Sequence, residues 1–218
     1  MKVIIVGHSY LAKENRKSLL ELGKYIDLEV ISPNSSKGMI FNYNIENDII
    51  KNKYYTINFF KKINFPFLNE SIYFLKILKM SFSKTKPDII HIENDPFHPL
   101  FLQFLFIKKI FFKQAKIVCT VKQNTYTSRG YLLDWIKDLI AKYFSKKVDQ
   151  FICVNKGVKD IYKDRFNVPE SKITNCTHLG VDTDIFKPMK RISKEKINIG
   201  YTGRFVAYKG VWLSLIHI

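Results

Sequence analysis

Pro87-Asp88-Ile89-Ile90-His91-Ile92-Glu93-Asn94-Asp95-Pro96 is a short apolar run with turn residues on one side and polar groups on the other. Pro87-Asp88, following Lys84-Thr85-Lys86, reads as the turn feeding a buried strand, Ile89 to Ile92. Alternation sends His91 and Glu93 to the same face and leaves Glu93, Asn94 and Asp95 at the strand's mouth. Asp95-Pro96 then puts a capping carboxylate before a proline at the first position of a helix, Pro96 to Phe112. Strand, polar mouth and helix in that order make one step of a parallel sheet with crossover helices.

The same step repeats on both sides of it. Strands are expected at Lys2 to Val6, Leu28 to Ile31, Tyr54 to Asn58, Ile117 to Val121, Gln150 to Val154, Ile173 to Cys176 and Ile197 to Tyr201. Helices are expected at Ala12 to Lys24, Glu70 to Phe82, Tyr131 to Ser145 and Lys156 to Phe166. The predicted fold is therefore α/β, a Rossmann-like parallel sheet with helices on both faces. The charged, irregular stretch Asp182 to Lys196, with Pro188 inside it, reads as a linker. This divides the chain into residues 1–181, a linker at 182–196, and residues 197–218 as the first strand and loop of a second, truncated domain.

A chain of 218 residues with 46% hydrophobic and 25% charged residues can bury a sizeable core and is not composed like a disordered segment. Its formal charge of +17 favours polyanionic partners, although A/T-rich codon usage alone would enrich Lys, Asn, Ile, Phe and Tyr together. Three cysteines without CxxC spacing argue against a disulfide framework and a zinc site, and they suit a reducing cytoplasm. The greasiest run, Pro99 to Ile107, falls short of the roughly 20 residues that a spanning helix needs. The aromatic-basic segments Asn58 to Phe67 and Phe101 to Lys113 suit either an anionic membrane surface or core elements with snorkelling lysines.

In open α/β sheets, ligands bind outside the carboxyl ends of the strands, so the residues there are the candidates. After the first strand comes Gly7-His8-Ser9-Tyr10, which lacks a GxGxxG fingerprint and so removes the main support for dinucleotide binding. His8, the Glu93-Asn94 pair, and Gln123 and Asn124 after the Ile117 to Val121 strand could all read sugar hydroxyls. Asp95 reads as a helix cap. Tyr201-Thr-Gly203-Arg204-Phe-Val-Ala-Tyr-Lys209-Gly210 is built like an anion cradle. Its glycines allow close backbone approach, Arg204 offers a planar fork of donors and Lys209 a point charge, and a following helix would add N-terminal amides.

Pro87-Asp-Ile-Ile-His-Ile92, then Gly180-Val-Asp182 through Phe186 and Pro188, then Gly203-Arg204 with Lys209-Gly210, resemble in order the motifs of glycosyltransferase family 4. The resemblance implies a GT-B architecture, with an acceptor domain followed by a nucleotide-sugar donor domain. It implies that Gly203, Arg204, Lys209 and Gly210 hold the donor diphosphate, with Arg204 and Lys209 catalytic, and it makes the strand-end residues His8, Glu93, Asn94, Gln123 and Asn124 read above the candidates for the acceptor. Transfer would retain anomeric configuration without a metal or other cofactor. The donor would be a UDP- or GDP-linked sugar, and the acceptor a glycan or lipid-linked glycan of the cell surface. The protein would be cytoplasmic, peripheral at an anionic membrane face, with no nucleic acid partner.

Four features depart from the family's pattern. Lys122, Gln123 and Asn124 occupy a loop where a histidine is common, His178-Leu179 replaces Pro-Asn, Trp212 is bulkier than expected after Lys209-Gly210, and a paired-glutamate element does not occur within these residues. Residues 1–218 alone are accordingly expected to be inactive. The competing class, a non-catalytic basic α/β module binding nucleic acid, would need basic and aromatic residues interleaved on one face.

Overall fold

The computed structural model describes residues 1–37, 42–45, 49–65, 70–73, 86–123, 130–177, 180–188, 200–203, 210 and 212. The chain forms two compact units, Met1–Leu179 and Gly180–Ile218. The first contains strands β1 (Lys2–Val6), β2 (Asp27–Pro33), β3 (Ser35–Lys37), β4 (Asn42–Asn44), β5 (Ile49–Lys51), β6 (Tyr55–Phe60), β7 (Lys62–Phe65), β8 (Glu70–Tyr73), β9 (Ile89–Ile92), β10 (Lys116–Val121), β11 (Gln150–Cys153) and β12 (Ile173–Asn175). Eight of them form one sheet in the order β12-β11-β10-β9-β1-β2-β6-β5, and only β5 runs antiparallel to its neighbour. The strand order turns back on itself between β1 and β9. A crevice for ligand opens at such a point, outside the carboxyl ends.

β1 is apolar because both its faces are covered. Val3 and Ile5 enter one core with Leu19, Leu28, Val30 and Ile57, while Ile4 and Val6 enter the other with Ile90, Ile92 and Ile117. The second of these cores lies under α2 (Pro99–Phe111), α3 (Tyr131–Ser145) and α4 (Lys156–Asp160). The first is closed by α1 (Lys17–Leu22) and the turns ahead of it. This is the expected α/β class with a Rossmann-like sheet. At the amino ends of the strands, Asp88 accepts from the Lys2 amide at 2.7 Å and Asp149 from the Ile117 amide at 2.8 Å, so short acidic turns satisfy strand starts.

Four local expectations change. Glu70–Tyr73 is a strand paired antiparallel with Lys62–Phe65, so cross-strand pairing overrides the helical pattern there, and residues 74–82 of that expected helix lie outside the described residues. The helix expected from Ala12 begins only at α1, preceded by a single 3-10 turn, Glu14–Arg16, where the Arg16 guanidinium donates to the carbonyls of Tyr10 (2.8 Å) and Leu11 (3.0 Å). The helix expected from Pro96 starts at Pro99, with His98 as its cap, Nδ1 accepting from the Leu100 amide at 3.2 Å. Beyond Asp160 the helix passes into a π-helical turn, Ile161–Arg165. Phe59 and Phe60 are core residues of β6, which turns that part of the 58–67 segment away from any membrane. Residues 197–199 of the last expected strand lie outside the described residues.

Candidate active site

The site is assembled at the carboxyl ends of β1, β9 and β10, all within the first unit. Glu93 follows β9 directly, its amide bonded to the Val6 carbonyl at 2.9 Å, and the residue is 4% exposed. Its carboxylate accepts from the Tyr10 hydroxyl at 2.5 Å and the Ser9 hydroxyl at 3.2 Å, and the Lys122 ammonium lies 3.4 Å away. Three strand ends thus converge on one buried charge. Burial of that kind is tolerated only with partners of this sort. A Cβ on Gly7 would stand 2.9 Å from Glu93 Oε2 and from the Tyr10 ring, so the glycine is what lets the carboxylate come this close. Burial first, and then the adjacent carboxylate, push the Tyr10 hydroxyl far above its ordinary range, so it stays a donor.

The loop after β1 is tied down by its own chain. Asn15 donates to the Ser9 carbonyl at 2.7 Å, and Arg16, bonded to the next two carbonyls, lies 5.7 Å from the Phe59 ring centroid. His8, exposed on this loop, is close enough to His98 to add to an effect that burial dominates, and together they lower the His98 imidazole to about 4. His98 is therefore neutral at pH 7.

A second cluster borders the first. Asp95 accepts from the fully buried Tyr162 hydroxyl at 2.6 Å. Burial raises the Asp95 carboxyl, and Tyr162 and Lys137 pull it back. Lys137 also reaches Gln123 Oε1 at 3.5 Å and sits 4.5 Å over the Phe97 ring. Cys119 and Cys153 are buried nearby, and burial raises both thiols, that of Cys153 to about 11. The expectation that Asp95 caps the helix is thus overturned: with the start moved to Pro99, the carboxylate turns to Tyr162.

Of the residues anticipated from sequence, His8, Glu93, Asn94 and Gln123 lie on these strand-end loops, and Asn124 lies outside the described residues. In the second unit Gly210 has a φ of 66°, in the left-handed region, and Arg204 and Lys209 lie outside the described residues. Ser9, Tyr10, Lys137, His98 and Tyr162 were not anticipated. Among the described residues, no group of three His, Cys, Asp or Glu side chains is placed to hold a metal ion.

The family model of glycosyltransferase family 4 matches residues 17–185. The chain belongs to that family. The matched span carries Glu93, Asp95, Lys122, Lys137 and Tyr162, and at its end residues Gly180 to Ile185 of the Gly180 to Phe186 motif. In that motif Asp182 closes a compact turn, its side chain accepting from the Asp184 amide at 3.0 Å and its carbonyl from the Phe186 amide at 2.8 Å. Among solved structures, a sucrose-phosphate synthase from Thermosynechococcus elongatus is similar over 85% of this chain and 92% of that one, at 12% identity and a TM-score of 0.49. No curated protein matches by sequence. The family 4 chain is thus a glycosyltransferase by membership, with a sugar donor and an acceptor as its substrates.

Proposed function

We propose that this family 4 chain is a retaining glycosyltransferase that moves a sugar from a UDP- or GDP-linked donor to a glycan or lipid-linked acceptor in cell-surface polysaccharide synthesis. The observation that carries the reading is the buried Glu93 carboxylate held by Ser9, Tyr10 and Lys122 at the point where the strand order reverses. A structural core has no need of such a charge, which costs several kcal/mol to desolvate. A site that must hold a loop and an ammonium in fixed positions does have that need.

In this reading Glu93 fixes the Gly7–Tyr10 loop and the Lys122 amine, and its remaining lone pairs can accept from an acceptor hydroxyl. His8, Asn94, Gln123 and Asn124 present donors and acceptors to the same sugar. Gly203 and Gly210 let the backbone approach the donor diphosphate, while Arg204 and Lys209 neutralise the charge that grows as the nucleoside diphosphate departs. Preorganised donors of this kind act on the transition state more than on the ground state. With two cations in that role, the proposal calls for no metal and no cofactor.

The test is nucleoside diphosphate release from UDP- and GDP-linked hexoses by the full-length protein and its Arg204→Ala and Lys209→Ala variants. Each substitution should lower turnover by about a hundredfold or more while the far-UV circular dichroism is unchanged. Full turnover in both variants would remove the cradle from the mechanism.

A further inference from the structure

α3 is turned inside out. An amphipathic helix of a soluble domain faces its apolar stripe inward, yet here the buried residues are Ala141 and Ser145, Phe144 is partly buried on the core, and the other large apolar side chains are exposed. Tyr131, Leu132, Trp135, Ile136, Leu139 and Tyr143 are all exposed, with Trp135 at 54% and Leu132 at 66%. At 100° per residue these six fall within an arc of about 140°. Both aspartates of the helix lie outside that arc, and Asp138 is bound to Arg165 by its Nε at 3.1 and 3.0 Å and by an Nη2 contact at 2.9 Å. The exposed face therefore carries no acid.

The charges bordering that face are basic. Lys146 and Lys147 are exposed just past its end, and Lys147 lies 5.6 Å from the Tyr143 ring centroid. The neighbouring α2, joined to α3 through the Phe101–Phe144 ring pair at 6.2 Å, repeats the pattern with exposed Leu102, Phe106 and Ile110 beside exposed Lys109. Two adjacent helices thus offer apolar side chains, interfacial aromatics and lysines together. A second copy of the chain would bring the same positive charge against this face, at an electrostatic cost. An anionic bilayer surface supplies the opposite charge and an apolar layer at the depth that such side chains reach.

We propose that the outer face of α3 is a membrane-docking surface that lies in the headgroup layer of an anionic bilayer, with Trp135 and Leu139 inserted and the lysines on lipid phosphates. α3 is tied to the strand-end loops through Lys137 and Gln123, so docking would hold the candidate site close to the lipid surface. The proposal does not depend on the acceptor being lipid-linked, because vesicle binding and sugar transfer are separate measurements.

The experiment uses the full chain with phosphatidylcholine vesicles, alone or with about one-third phosphatidylglycerol. The chain has two tryptophans, so Trp212→Phe leaves Trp135 as the only reporter. Expected are co-flotation with the anionic vesicles only, a blue shift of Trp135 emission on binding, and partition weakened by salt. Leu139→Asp should reduce partition about tenfold or more with unchanged circular dichroism. The proposal is overturned by any of three results: no flotation with anionic vesicles, flotation that leaves Trp135 emission unmoved and survives Leu139→Asp, or a dimer in sedimentation velocity that Leu139→Asp dissociates without vesicle binding.

Discussion

Glu93 and His98 both follow the Ile89–Ile92 strand within ten residues, and their surroundings differ. Glu93 is held in place by donors from two other strand ends, whereas His98 is held neutral by burial and by His8. The His98 shift predicts a definite pH dependence. Its folded value of about 4 lies below the ordinary 6.5, so as pH falls through 6.5 the unfolded chain takes up a proton that the folded chain refuses. Stability from this group is intact above pH 6.5 and is lost progressively down to about 4. His98→Asn keeps a capping oxygen for the Leu100 amide but cannot protonate. Urea midpoints at pH 7 and pH 5 should therefore fall further in the parent than in this variant. Equal falls would show that His98 does not titrate as described.

At the scale of elements, the sequence carries most of what matters for position. The strands at Lys2, Ile89, Ile117 and Gln150 are legible because each is a short apolar run bounded by turn residues, and the strand-end candidates follow from them. Two kinds of information were not local. Pairing of Glu70–Tyr73 with Lys62–Phe65 depends on the partner strand. The Tyr10–Glu93 and Tyr162–Asp95 bonds join residues 83 and 67 positions apart, and no spacing rule reaches that far. Asn155 falls between the strand expected to Val154 and the helix expected from Lys156, and its Oδ1 accepts from the Val158 amide at 3.0 Å, capping α4. Asn155→Ala should cost about 1 kcal/mol in chemical denaturation. A neutral result would mean that α4 is fixed by the packing of Val158 and Tyr162 alone.

For the molecule as a whole, stability should be graded across the sheet. β1 and β9 are bonded on both edges and covered on both faces, while β5 and β12 are the ends of the sheet. Native-state hydrogen exchange should therefore be slowest for amides of β1, β9 and β10 and fastest for β5 and β12. Uniform protection across all eight strands would instead indicate a single cooperative unit. The strand order also bears on synthesis. β1 bonds β2 on one side, and β2 bonds β6, so these three can assemble once Phe60 has left the ribosome. The other edge of β1 belongs to β9, which ends at Ile92. At ~5–20 residues per second, the roughly thirty residues between Phe60 and Ile92 take about 2–6 seconds to appear. For that interval a strand apolar on both faces is an open edge on a half-made sheet, so the nascent chain, more than the finished one, is the form that a chaperone must guard.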